Sequence, residues 1–251
     1  MSHPVVHFQM SGPDDRRLAD FYAALFGWCM QPVPGVGYTL IDTGAAGING
    51  GIEKVTDARP STTFYIETDD LQSALDKINL VGGKTVTPIT ELPGMATYAI
   101  FSDPDGLAVG LVLGPAAAGA VQPQPAPDGP VPDAAGGAPV DWFEVLGTDA
   151  KRSQQFYAEI FGWQLNAAVA GYGMVDTGTS RGIRGGIGAG EPGPWVTVYA
   201  SVADVAAVLA TAAELGGSRV HGPVVVDDHL QTGALRDPAG NIIGVYHHRP
   251  H

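Results

Sequence analysis

Two residues with chemistry to offer stand two apart in Val5-Val6-His7-Phe8-Gln9-Met10, a run with the look of a strand. Alternation along a strand puts His7 and Gln9 on one face. An imidazole there serves as a general base or a hydrogen-bonding group near neutral pH; the competing reading is a core histidine satisfied by a neighbour. Farther along, Val140-Asp141-Trp142-Phe143-Glu144-Val145 has the same form, with Trp142 and Glu144 in the matching places. The indole supplies a broad apolar platform with a single donor. A carboxylate buried beside it has a raised pKa and suits acid or base work, against the plainer reading of a paired or solvated rim carboxylate. Further candidates for a ligand-lined surface are aromatic: Tyr38 with Tyr172, Tyr65 with Tyr199, and Trp195. His229 closes an Asp227-Asp228-His229 loop that reads as a solvated turn or as a lid.

The elements that must hold these residues are written twice. Val5–Trp28 and Val140–Trp163 agree at eleven of twenty-four positions. The match returns at Ile48–Ile52 against Ile183–Ile187, and at Asp103-Pro104-Asp105-Gly106 against Asp237-Pro238-Ala239-Gly240. Such self-similarity marks repeated structural units. Within the first half, Leu18, Phe21, Tyr22, Leu25 and Phe26 recur at helical spacing, and Gly27 ends the helix. Three short strands follow, then a strand at Thr62–Glu67, a helix carrying Leu71, Ala74, Leu75 and Ile78, and three more strands. The order strand–helix–three strands is predicted four times. Positions 114–139 have seven prolines and no aromatic residue, a composition for an extended tether. The expected division is therefore 1–113, a linker at 114–139, and 140–251.

Composition excludes several classes. A net charge of −13 with 13 scattered Lys and Arg disfavours nucleic acid, which needs clustered cations. No apolar run reaches the ~18 residues of a membrane span. Cys29 is the single cysteine, so an internal disulfide and a cysteine-based metal cluster are both excluded. With no visible signal peptide in Met-Ser-His-Pro, a cytoplasmic protein is expected.

The repeated order, the helix ending Phe-Tyr-x-x-x-Phe-Gly-Trp and the late Asp-Pro-x-Gly turn together resemble the vicinal oxygen chelate superfamily, the glyoxalase, bleomycin-resistance and extradiol-dioxygenase group. The likeness covers nearly everything outside the linker and is nearest to two-domain actinobacterial proteins described as glyoxalase-like, hydroxylase or 27 kDa antigen. It implies an α+β fold of four βαβββ modules, arranged as two domains whose curved mixed sheets form cups around a small molecule. It also implies a divalent ion held by His, Gln or Glu, with ligands seven residues before the Asp that opens the first helix and seven after the Asp of Asp-Pro-x-Gly. Those positions hold His7 and Trp142, then Gly110 and Gly244. The strands Thr62–Ile66 and Val196–Ala200 carry neither His nor carboxylate. A lone imidazole is short of the three or so protein ligands usual in a catalytic centre. No metal or other cofactor is expected, and the paired glycines mark room for a ligand or a bend in the sheet.

The expected function is binding of an aromatic or carbonyl-containing metabolite or antibiotic. The candidate lining is Gln9, Tyr38, Tyr65, Gly110, Trp142, Tyr172, Trp195, Tyr199, His229 and Gly244. The alternative is a metal-independent lyase, isomerase or hydroxylase-like enzyme with His7 as base and Glu144 as a second catalytic group. A further alternative is a glyoxalase or dioxygenase with unusual ligands drawn from His7, Glu144 and His229. The expected partner is a small molecule, with the two domains paired within one monomeric chain.

Overall fold

The computed structural model describes residues 2–56, 59–114, 136–169, 171–190 and 193–248. Most of the linker (115–135) and the tail 249–251 lie outside the described residues. The first half runs β1 (Val5–Gly12), α1 (Asp15–Phe26), β2 (Cys29–Val33), β3 (Tyr38–Asp42), β4 (Gly50–Lys54), β5 (Thr62–Thr68), α2 (Leu71–Leu80), β6 (Lys84–Leu92), β7 (Ala96–Ser102) and β8 (Ala108–Leu113). The second runs β9 (Val140–Gly147), α3 (Ala150–Phe161), β10 (Gln164–Val169), β11 (Tyr172–Asp176), β12 (Arg184–Ala189), β13 (Trp195–Ser201), α4 (Val205–Glu214), β14 (Ser218–Val225), β15 (Leu230–Arg236) and β16 (Ile242–His248). Strand, helix and three strands thus recur four times. The α+β class and the mixed sheets are those read from the sequence.

Each half makes one eight-stranded sheet, ordered β2-β3-β4-β1-β5-β8-β7-β6 in the first and β10-β11-β12-β9-β13-β16-β15-β14 in the second. Every strand of a sheet comes from the same half, so each cup is built within a half. β1 runs parallel to β4 and antiparallel to β5, and β5 runs parallel to β8. The second half repeats these relations.

Local chemistry sets the helix ends. Asp14 and Asp149 each accept a backbone N–H at the start of their helices, from Arg17 and Arg152, an N-cap worth about 1 kcal/mol. Gly27, at φ +70°, closes α1 in the left-handed conformation that a glycine adopts without penalty.

Alternation decides which side chains meet. Phe8, Met10, Phe64 and Ile66 point into a core shared with Phe143, Val145 and Val198 of the other half. The Phe64 and Phe143 rings lie 4.7 Å apart. His7, Gln9 and Tyr65 therefore point the opposite way, so the two cups face away from the common core.

The repeat motifs also join the halves reciprocally. Tyr22 of the first helix donates to Asp237 of the second Asp-Pro-x-Gly turn at 2.9 Å. Tyr157 donates to Asp103 of the first such turn at 3.3 Å. The Trp28 indole donates to the Ala138 carbonyl at 2.7 Å, and the Trp163 indole to the His3 carbonyl at 2.8 Å. Among the described residues, no helix is long and apolar enough to cross a membrane.

Candidate functional site

The first cup gathers His7, Gln9, Tyr38, Tyr65, Glu53 and Tyr98. His7 Nε2 lies 2.8 Å from the Tyr38 hydroxyl. Gln9 accepts from the Tyr65 hydroxyl at 3.1 Å and donates its Nε2 to Glu53 Oε2 at 2.8 Å. Burial pushes the His7 pKa down to about 4, so the ring is neutral at neutral pH. Burial raises the Glu53 carboxyl, and the bond from Gln9 opposes that rise. The Tyr65 ring meets His7 and Tyr98 edge-on at 5.7 and 6.3 Å.

The second cup is organised around Glu144. It accepts from the Tyr172 hydroxyl at 3.1 Å, the Trp195 indole at 2.9 Å and the Tyr199 hydroxyl at 2.9 Å. Burial raises its pKa, and the three donors oppose that shift. Trp142 occupies the place of His7 and acts on Tyr172 as a hydrogen-bond partner. His229 is not among the groups bonded to Glu144. It sits in the turn between β14 and β15, its ring 6.3 Å from that of His248, while Asp227 Oδ1 accepts the backbone N–H groups of His229 and Leu230.

Gly110 and Gly244 lie in register with Tyr65 and Tyr199. A Cβ at either position would overlap the tyrosine ring above it. Each glycine thus serves a close approach by a side chain; the room it leaves is taken by the tyrosine instead of standing open. Gly51 under Tyr38 and Gly186 under Tyr172 work the same way.

The two cups differ in how they are filled. In the second, Leu146, Trp195 and Ala234 form a separate apolar cluster, with Tyr172, Val220 and Ile242 packed against it. Trp195 is only 5% exposed and stands opposite Leu146 in the β9–β13 ladder. His221 stacks on its indole with centroids 6.1 Å apart. At the places of Leu146, Trp195 and Ile242 the first cup has Ser11, Ser61 and Ala108, while Ile100 stands where the second has Ala234. The two serine hydroxyls lie 3.3 Å apart, and Ser61 is exposed.

Sequence reasoning missed Glu53 and Tyr98. A signal was present for Glu53, whose repeat partner is Gly188. Each cup therefore has one carboxylate next to its network, on β4 in the first half and on β9 in the second.

These donors do not make the fold's metal-ligand set. The expected positions bring one imidazole, itself bonded to Tyr38, while the Tyr65 and Tyr199 rings cover Gly110 and Gly244. Among the described residues, no three His, Cys, Asp or Glu side chains are grouped to hold an ion. His7 belongs to one sheet, and Glu144 and His229 belong to the other half, so the three do not form a common ligand set.

No family model matches the chain. It is 26% identical over 255 aligned residues to "Anthracycline biosynthesis protein DauV" of Streptomyces sp. (strain C5), spanning 86% of this chain and 83% of that protein. It is 27% identical to "Anthracycline biosynthesis protein DnrV" of Streptomyces peucetius, over 84% of this chain and 81% of that one. A "Glyoxylase-like domain-containing protein" of Didymella fabae is 29% identical across 41% of this chain and 91% of its own length. Among solved structures, the Mn(II)-bound glyoxalase of Novosphingobium aromaticivorans superposes with a TM-score of 0.66 at 13% identity, covering 98% of this chain and 83% of that one. The 2,3-dioxygenase LapB of Pseudomonas sp. KL28 gives 0.64 at 14%, covering 99% and 93%. The fold is the vicinal oxygen chelate fold of glyoxalases and extradiol dioxygenases.

Proposed function

We propose that the first cup binds a small aromatic or carbonyl-containing metabolite without a metal, and that the second cup is a filled copy with a structural role. The observation that carries this reading is the exchange of Ser11, Ser61 and Ala108 for Leu146, Trp195 and Ile242 between otherwise matching cups. The second cup closes its polar groups on one another and packs an indole against Leu146 and Ala234. The first keeps small side chains at those places and half-buried Tyr38, Glu53 and Tyr98 along its lining. Apolar walls with a few convergent polar groups are what small-molecule sites share.

The named relatives support an aromatic ligand, since anthracyclines are fused-ring quinones. In this reading the chain works as a monomer with its halves paired, and its partner is the small molecule. The test is a titration with an anthracycline, followed by its own visible fluorescence, on protein treated with a chelator. One ligand bound per chain supports the proposal; no binding sinks it.

A second reading rests on His7. A neutral imidazole has the protonation state of a general base, though burial makes it a weak one until a ligand changes its surroundings; such a base suits a metal-independent lyase, isomerase or hydroxylase-like reaction in the same cup. Product formation that His7→Ala abolishes while binding persists would favour the enzyme over the binder.

A further inference from the structure

Glu53 and Tyr98 are two polar groups of the first cup with unused hydrogen-bonding capacity among the described residues. Glu53 Oε2 accepts from Gln9, and Oε1 accepts from no group among the described residues. The Tyr98 hydroxyl likewise has no hydrogen-bond partner there, although its ring packs edge-on against Tyr65. Both side chains are half-buried on the cup face. Glu53 stands opposite Tyr38 in the β3–β4 ladder, and its charge adds to the rise that burial gives the pKa of Tyr65 and Tyr98, and that burial and Tyr65 give Tyr38. The other cup sharpens the contrast. There the carboxylate is Glu144, saturated by three donors, and the place of Glu53 is Gly188, where a Cβ would meet the Tyr172 ring.

Glu53 Oε1 is open to solvent, so a ligand that covers it must replace that water with a donor of its own, because a carboxylate oxygen stripped of water and left unpaired costs more than a neutral group would. Gln9 holds it in one orientation, and Gln9 is itself fixed by Tyr65. The cup therefore offers an acceptor at Glu53 and a donor at Tyr98.

We infer that Glu53, oriented by Gln9, is a specificity-determining residue that selects ligands carrying a free aromatic or enolic O–H, while Tyr98 donates to a carbonyl on the same molecule. The ligand class is a hydroxylated aromatic carbonyl compound. This rests on the first cup being the binding site. His7 and Tyr38 satisfy each other and form the wall of the cup.

The experiment compares 2-hydroxyanthraquinone with 2-methoxyanthraquinone, which keeps the rings and carbonyls but has no O–H to give. Equilibrium dialysis is run on the full chain at a pH where the phenol keeps its proton. The expected result is a preference for the hydroxy compound of about tenfold or more, the scale of a charge-assisted hydrogen bond. In Glu53→Ala that preference disappears, while the affinity for the methoxy compound is nearly unchanged. Tyr98→Phe weakens both compounds alike. Equal binding by the unaltered protein, or a preference that survives Glu53→Ala, overturns the role of Glu53 and leaves the first cup as the site. Tyr98→Phe without effect overturns the donor role of Tyr98. Failure of both compounds to bind overturns the assignment of the cup as well. Circular dichroism of each variant establishes that it is folded.

Discussion

Trp195 donates its indole N–H to Glu144 Oε2 at 2.9 Å and packs against Leu146 and Ala234 in the second cup. One residue accounts both for the apolar filling of that cup and for a third of the hydrogen bonds on its carboxylate. The repeat partner is Ser61, an exposed residue that brings no ring into the first cup.

Ser61→Trp should therefore close the first cup as Trp195 closes the second. Affinity for an anthraquinone probe is expected to fall by at least tenfold while the melting temperature stays within a few degrees, because Ser61 is exposed at the rim. Dialysis and a thermal melt on the same preparation check both halves of the statement.

The reverse change is costly. Trp195→Ser removes an indole packed against Leu146 and Ala234 and leaves Glu144 with two donors. Truncation of a buried Trp costs about 3–5 kcal/mol, to be read from the shift of the urea midpoint.

The link between the halves predicts cooperative unfolding. Tyr22 and Asp237 are buried partners drawn from different halves, and the hydrophobic core is common to both. Tyr22→Phe leaves Asp237 with only its bonds to Asn241 and the backbone. The expected loss is about 1–3 kcal/mol, with both halves still melting in one transition. Two separate transitions in calorimetry would show the joint core to be energetically minor.

His7 sets a pH dependence. Its folded pKa of about 4 lies below the ordinary value of 6.5, so between these values the unfolded chain binds more protons. Its contribution to stability is full above about pH 6.5 and is lost as the pH falls through the folded value. The stability difference between the unaltered protein and His7→Gln should shrink on acidification across that window, as measured by denaturant titration. A difference independent of pH would mean that the ring titrates normally.

Much of this architecture was legible in the chain. Helical spacing of Leu18, Phe21, Tyr22, Leu25 and Phe26, with Gly27 after it, placed α1 correctly, and alternation put His7 and Gln9 on one face. The mismatch of His7 with Trp142 singled out that face of the strand as the one that differs between the halves. Glu53 escaped because Gly50-Gly51-Ile52-Glu53-Lys54 reads as a hairpin strand with a charged end, and its bond to Gln9 spans 44 residues. The meaning of Gly110 and Gly244 was hidden for a related reason. A glycine reveals that something comes close, and only register shows that it is Tyr65 or Tyr199. Tyr22 and Tyr157 looked like helix-face core, and they are buried. Their hydroxyls find partners 215 and 54 residues away, which periodicity does not reveal.

The most direct measurement of the central claim is the stoichiometry of an anthraquinone probe on chelator-treated protein, with Ser61→Trp in parallel. One molecule bound per chain, unchanged by chelation and lost in Ser61→Trp, is the predicted result. Two molecules per chain, or binding that vanishes with the chelator and returns with a divalent ion, would contradict it.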